Sequence, residues 1–245
     1  MNTIIQSLFD RKSCRIFQDK EISKEEKELI LNAAMQAPSA GNQQMYTIID
    51  VQDKKLQETL SKTCDNQPFI KQAKMVLIFC ADFQKWYDLF DYANCNPRKP
   101  GVGDLLLSTT DATIAAQNAV VAAESLGIGS CYIGDILEQH DIHRKLLNLP
   151  EYVVPVCMLV LGYPASEHYK RKKPERCKLE DIVCVNQYHR KDKAELEHMF
   201  EKETKVKSFE EWASAFCKRK YNSDFSKEMS NSVQKYMDQF KSEAN

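Results

Sequence analysis

Residues 104–126 read DLLLSTTDATIAAQNAVVAAESL and are followed by Gly127. The stretch is alanine-rich and apolar on more than one face. A glycine just past its end suits a helix C-terminus, because glycine enters the left-handed conformation there without a Cβ penalty. A central helix over Asp104–Leu126 is expected, buried all round in the core or against a second subunit. Its length would allow a membrane span, but Asp104, Asp111, Gln117, Asn118 and Glu124 interrupt it too often for a bilayer.

Outward from this helix, the chain alternates strand and helix signals. Upstream, KMVLIFCA at 74–81 is a continuous apolar run of strand length, as expected of a strand buried on both faces. Downstream come a weaker strand near Ile128–Ile133, a helix from about Glu138 to Asn148, and a strand at Tyr152–Leu161. Pro155 inside that last run points to a sheet edge or a bulge. Nearer the N-terminus, Thr3–Asp10 sets Ile4, Ile5, Leu8 and Phe9 on one helical face. Ser23 and Glu26 have capping-box spacing, and apolar residues repeat at helical intervals over Lys24–Ala37 until Pro38 stops them. Met45–Val51 is β-branched and aromatic and reads as a strand; Asp53 can cap a helix to Cys64, and Asp82–Ala93 reads as helical. Asn94–Gly103, with two prolines and two glycines, is a loop. From about Asn186 the composition turns charged, with Trp212, Phe216 and Tyr236 as isolated apolar anchors, so this tail is expected to dock on its own chain or a partner.

Composition narrows the function classes. The chain has 245 residues, 43% of them hydrophobic, and 34 basic against 35 acidic side chains give a net charge of -1. No global field recruits nucleic acid or an anionic membrane, so any phosphate site must be local. The N-terminus has no basic segment ahead of a long apolar run, and nine scattered cysteines form no Cys-x-x-Cys pair. Reduced thiols in the cytoplasm are expected, with no structural metal.

Two constellations carry chemistry. Arg11, Lys12, Ser13 and Arg15 crowd three cations and a hydroxyl into five residues. Forked guanidinium donors match phosphate oxygens, although a solvated basic turn has the same composition. The second, Pro38-Ser39-Ala40-Gly41-Asn42-Gln43-Gln44, follows a helix and precedes a strand. Small residues and amides there allow close approach to a flat heteroaromatic ligand, while an ordinary Asx-rich loop reads the same way.

Together, in this order and spacing, the two stretches resemble the opening signature of the nitroreductase family: basic-basic-Ser-x-Arg-x-aromatic, then Pro-Ser-small-x-Asn-x-Gln about two dozen residues later. Leu126–Gly134 and Leu161–Pro164 resemble later segments of that family, so the likeness runs from residue 3 to about 185. The resemblance implies an α+β fold, a mixed and mostly antiparallel sheet flanked by helices, in an intertwined homodimer with a helical C-terminal extension; the division is 1–185 and 186–245. It implies bound FMN, with NADPH or NADH as hydride donor and a nitroaromatic, quinone or free flavin as acceptor in a ping-pong cycle. Arg11, Lys12, Ser13 and Arg15 would hold the FMN phosphate and ribityl chain. Pro38, Ser39 and Asn42 would approach a flavin from the neighbouring protomer's side. Gln67 would face the pyrimidine edge of the ring, and Tyr132, Ile133 and Gly134 its other side. Lys173 and Arg176 resemble the family's Lys-x-Arg contact with one residue inserted, so that Lys172 or Lys173 fills the role. The tail resembles the longer branch of oxygen-insensitive nitroreductases and NADPH-flavin oxidoreductases, in which Lys218 and Arg219 would meet the NADPH 2'-phosphate; a solvated basic helix end is the alternative. No catalytic acid or base is expected, because the cofactor supplies the chemistry. A specialised dehalogenase or flavin-destroying enzyme, or a flavin-binding protein without turnover, are the other readings.

Other motifs fall away. Gly127-Ile128-Gly129 lacks a third glycine and follows a helix, so it is no dinucleotide fingerprint. His140 and His143 stand at helical spacing without further ligands and are expected to be exposed. Cys14 is expected to be a packed or exposed thiol, and Lys170–Lys173 lacks the aromatic interleaving of a nucleic-acid patch.

Overall fold

The structure, a computed structural model, describes residues 1–241. Its contacts define two compact units: Met1–Lys172 together with the residues from Glu228 onward, and Lys173–Lys227. The sequence sets its division at 185/186.

The first unit is built on four strands, β1 (Tyr46–Asp50), β2 (Met75–Asp82), β3 (Gly129–Ile133) and β4 (Val153–Gly162), in the order β1-β2-β4-β3 with every pairing antiparallel. Its helices are α1 (Thr3–Asp10), α2 (Lys24–Met35), α3 (Lys54–Thr63), α4 (Pro68–Gln72), α5 (Gln84–Tyr92), α6 (Val102–Ser125), α7 (His140–Leu146) and α8 (Ser166–Lys170). Every residue of β2 is buried, as its unbroken apolar run requires. Alternate side chains serve two cores. Leu77, Phe79, Leu159 and Leu161 face Ala112, Ala115, Ala116 and Ala119 of α6 and Ile30 of α2. Val76, Ile78, Met158 and Val160 face Leu60 of α3, Ile70 of α4 and Ile136. Alanines on α6 let its backbone approach the sheet, which explains why the helix is rich in them.

The remaining elements follow local rules. Ser23 Oγ accepts from the Glu26 amide at 3.1 Å and Glu26 Oε2 accepts from the Ser23 amide at 2.8 Å, closing the expected capping box. α2 ends at Met35, two residues short of expectation, because Pro38 steers the preceding residues out of the helical region. Gly127, at φ +73°, sits just past α6 as expected. Pro155 lies inside β4, where the β2 register shifts between Phe79 and Cys80; β3 pairs only as far as Met158, so the missing amide hydrogen leaves no ladder bond broken on that side.

Two expectations are corrected. The helix drawn from Glu138 begins at His140, because Asp135–Leu137 forms a 3-10 turn and Gln139 stands in the left-handed region at φ +51°, its amide donating to Glu228. His140 and His143 are buried, not exposed: His143 bonds the Ile136 carbonyl and Thr63 Oγ1, and His140 packs edge-on against Tyr236. Polar partners on neighbouring elements, invisible to helical periodicity, make their burial possible.

The second unit contains α9 (Leu179–Ile182), α10 (Lys193–Met199), α11 (Phe209–Phe216) and the start of α12 (Asp224–Asp238). Trp212 stacks with Phe200, Phe209 and Phe216 inside it. The later part of α12 belongs to the first unit, where Tyr236 and Phe240 are buried with Ala81, Leu105 and Tyr152. Among the described residues no helix is long and apolar enough to cross a membrane, and no cluster of potential ligands could hold a metal.

Candidate cofactor site

Residues 11–18 run alongside the ends of β3 and β4. Cys14 N donates to the Ser130 carbonyl at 2.9 Å, Gln18 N to Tyr163 at 2.8 Å, and Phe17 bridges Pro164. Two glycines make room. A Cβ on Gly129 would lie 2.7 Å from Cys14 Cβ, and one on Gly162 would lie 2.7 Å from Phe17 Cδ1. The alternation of an extended chain sends Cys14 inward, where burial raises its thiol pKa and leaves it a packing group.

The neighbours of Cys14 take the opposite course. Arg11 Nη2 donates to Ser130 Oγ at 3.5 Å and its guanidinium lies 5.9 Å from the Tyr132 ring centroid, while its Nε is buried without a hydrogen-bond partner. Ser13 and Arg15 reach the Cys131 thiol, and Arg15 also lies over the Phe69 ring at 5.8 Å. Lys12 Nζ donates to the Arg171 carbonyl. None of the three cations forms an ion pair among the described residues. Like charges brought together repel, the more so where water screens them less. An anion here would remove that repulsion and give Arg11 Nε its partner, so the donor set fits a phosphate.

Further along β3 the chain reaches Tyr132, Ile133 and Gly134, then Asp135. Burial pushes the Tyr132 phenol pKa up, so it stays neutral. Gln67 stands at the N-terminus of α4, delivered by a turn in which Asp65 and Asn66 are both left-handed. Its amide nitrogen donates to the Cys64 carbonyl at 3.0 Å and to Asp135 Oδ2 at 2.7 Å. Arg11, Ser13, Arg15, Tyr132, Gly134 and Gln67 thus lie along one edge strand.

The Pro38–Gln44 loop is elsewhere. β1 and β3 are opposite edges of the sheet, and the Tyr46 end of β1 is at the far end from Gly129. The loop is tied down by Asp111 of α6, a residue sequence reading used only against a membrane span. Asp111 is 2% exposed; its Oδ1 accepts from Ala40 N at 3.0 Å and its Oδ2 from Met45 N at 3.1 Å. Ser39 Oγ accepts from Gln44 N at 3.0 Å, and the Gln43 carbonyl accepts from Trp86 Nε1 at 2.8 Å. Gly41, Asn42 and Gln44 all have left-handed backbones, two of them despite carrying a Cβ. The sequence signal for Asp111 was a carboxylate in the middle of an alanine-rich helix, away from both ends.

The remaining expected contacts belong to the second unit. Arg176 Nη1 donates to the Pro174 carbonyl at 3.1 Å, and with Trp212, Phe200, Phe216, Lys202 and Lys205 it lines a cavity of about 630 Å³. Lys218 and Arg219 fall in a π-helical turn, Cys217–Tyr221, with Arg219 5.4 Å from the Phe216 ring centroid. Lys173 lies at the unit's first residue.

The chain is 33% identical to the FMN reductase (NAD(P)H) of Bacillus subtilis over 96% of this chain and 91% of that one. It is 35% identical to the oxygen-insensitive NADPH nitroreductase of Salmonella typhimurium, over 77% and 75% of the two chains. The solved structure of B. megaterium NfrA2 superposes with a TM-score of 0.82 at 32% identity, covering 100% of both chains. The description "Nitroreductase family" matches residues 8–163, and the chain belongs to that family.

Proposed function

We propose that this chain is an FMN-dependent oxidoreductase that passes electrons from NADPH or NADH to a small electrophilic acceptor, such as a nitroaromatic, a quinone or free flavin. The observation that carries the reading is the uncompensated Arg11–Lys12–Arg15 cluster with a buried, unpartnered Arg11 Nε, in a chain similar to proteins named for FMN and NAD(P)H. Bound FMN supplies the two-electron chemistry. Arg11, Lys12, Ser13 and Arg15 hold its phosphate and ribityl chain by charge-assisted bonds, each contributing about 1.5–3 kcal/mol. Gln67 meets the ring's pyrimidine edge, Tyr132, Ile133 and Gly134 line its other side, and Lys173 (or Lys172) with Arg176 completes the contacts. Lys218 and Arg219 favour the NADPH 2'-phosphate.

The working unit is a homodimer in the cytoplasm. α1 has no buried residue, and Ile4 (62% exposed) and Phe9 (66%) lie on its apolar face; Leu106 (64%) and Leu107 (50%) stand bare on α6. Apolar surface of this extent favours a second copy. A second copy also resolves the separation of the two motifs, since Pro38, Ser39 and Asn42 of one chain complete the site begun by Arg11–Arg15 of the other. Residues 1–185 form the FMN-binding part and 186–245 an extension packing on the dimer. The reading is tested by loading the protein with FMN and adding NADPH, then NADH, without oxygen. Loss of the flavin's absorbance within seconds supports it; an FMN-loaded protein left unbleached by both nucleotides excludes it.

A further inference from the structure

Behind Gln67 lies a polar arrangement that holding an amide does not by itself require. Asp135 Oδ2 accepts from Gln67 Nε2 at 2.7 Å, and the Glu138 carboxyl lies within hydrogen-bonding reach of that same Asp135. Glu138 is only 5% exposed, and its Oε1 has no donor. Two ionised carboxylates can only accept, so the contact holds them together only when one carries a proton. The surroundings keep that proton on. Asp65 from the α3–α4 turn and Glu228 from α12 add negative charge, Cys64 is a neutral thiol whose pKa is pushed up to about 12, and His143 of α7 is held neutral by burial. Burial first, and then Asp135, push the Glu138 carboxyl up to about 7.

We infer that a proton on Glu138 bonds it to Asp135 and so holds Gln67 in place for the cofactor, Glu138 acting as a positioning residue that weakens FMN binding when the proton is lost. The inference rests on the reading of Gln67 as an FMN contact. When the proton leaves to solvent, both carboxyls are anionic, they repel, and Asp135 swings from the position in which it anchors the Gln67 amide. Below that transition the Glu138 hydroxyl donates to Asp135 and Asp135 accepts from Gln67, so the chain of bonds is complete.

The test is FMN affinity of the full chain, by flavin fluorescence titration at pH 6 and pH 8, for the natural protein and Glu138→Gln. The glutamine amide donates to Asp135 at every pH. Ionisation of the FMN phosphate affects both proteins alike and cancels in their ratio. The dissociation constant of the natural protein relative to Glu138→Gln is expected to be near one at pH 6 and to rise about threefold or more at pH 8, the change given by half a pKa unit. Placing Glu138→Gln in a Gln67→Ala background should abolish that rise. Asp135→Asn removes the paired carboxylates by the other partner and should flatten the profile as Glu138→Gln does. A ratio that does not change with pH, or a rise that persists without Gln67, would overturn the inference and leave the FMN reading standing. A natural protein that binds no FMN at either pH would overturn both.

Discussion

The two loops that carry the family's signature handle charge in opposite ways. At Arg11–Arg15 three cations are placed on a strand edge with no carboxylate among the described residues pairing with them, and Cys14 turns inward as a packed thiol whose pKa burial raises. At Pro38–Gln44 the side chains carry no charge, and backbone amides at both ends of the loop terminate on the buried Asp111 carboxylate. The first loop is electrostatically unfinished and suits a ligand of opposite sign. The second is internally complete, so its contribution is shape. Rigidity in one and charge in the other is a division suited to a cofactor with an anionic end and a flat neutral end.

The contrast yields predictions of decreasing size. Asp111→Ala leaves two amides without acceptors and should cost about 2–5 kcal/mol of folding stability, read from denaturant midpoints; a loss below the range typical of a surface substitution would mean the loop is held by other contacts. Arg15→Ala, in contrast, should leave the denaturation midpoint nearly unchanged while weakening FMN binding about 100-fold, roughly 2.7 kcal/mol; retained stoichiometric flavin would remove Arg15 from the site. Glu138 makes the third. Its carboxyl titrates near 4.5 when unconstrained and is pushed up to about 7 in the fold, so the folded state binds the extra proton between those values. Its stabilising contribution is complete below about pH 4.5 and is lost as pH rises through 7. Glu138→Gln should therefore raise the thermal midpoint relative to the natural protein by about 2–4 °C at pH 8 and by less at pH 5. Smallest, Arg219→Ala should raise KM for NADPH about threefold, as one exposed ion pair allows, and leave KM for NADH unchanged; equal effects on the two nucleotides would sink the 2'-phosphate assignment.

Much of the fold could be read from the sequence where a pattern is local. The run KMVLIFCA became the fully buried β2, Ser23 and Glu26 formed their capping box, and Gly127 closed α6. What sequence reading missed depends on partners far along the chain. His143 looked exposed because its acceptor and its Thr63 partner come from other segments. The role of Asp111 was hidden because its two amide partners lie 71 and 66 residues away. The Glu138–Asp135–Gln67 chain links a loop and a turn with no shared periodicity. For the site, the order of the two motifs was plain, whereas their placement on opposite sheet edges followed only from the strand order β1-β2-β4-β3.

That separation makes mixed dimers the most direct test of whether the two loops serve one site. Arg15→Ala and Asn42→Ala are each made as pure proteins, then unfolded together and refolded as a mixture. If each site takes its cations from one chain and its loop from the other, both pure variants bind FMN weakly, and a mixed dimer regains one intact site in two. At equal amounts, half the dimers are mixed, so about a quarter of all sites should bind FMN with natural affinity. A mixture that binds no better than the two pure variants would contradict a site shared between chains.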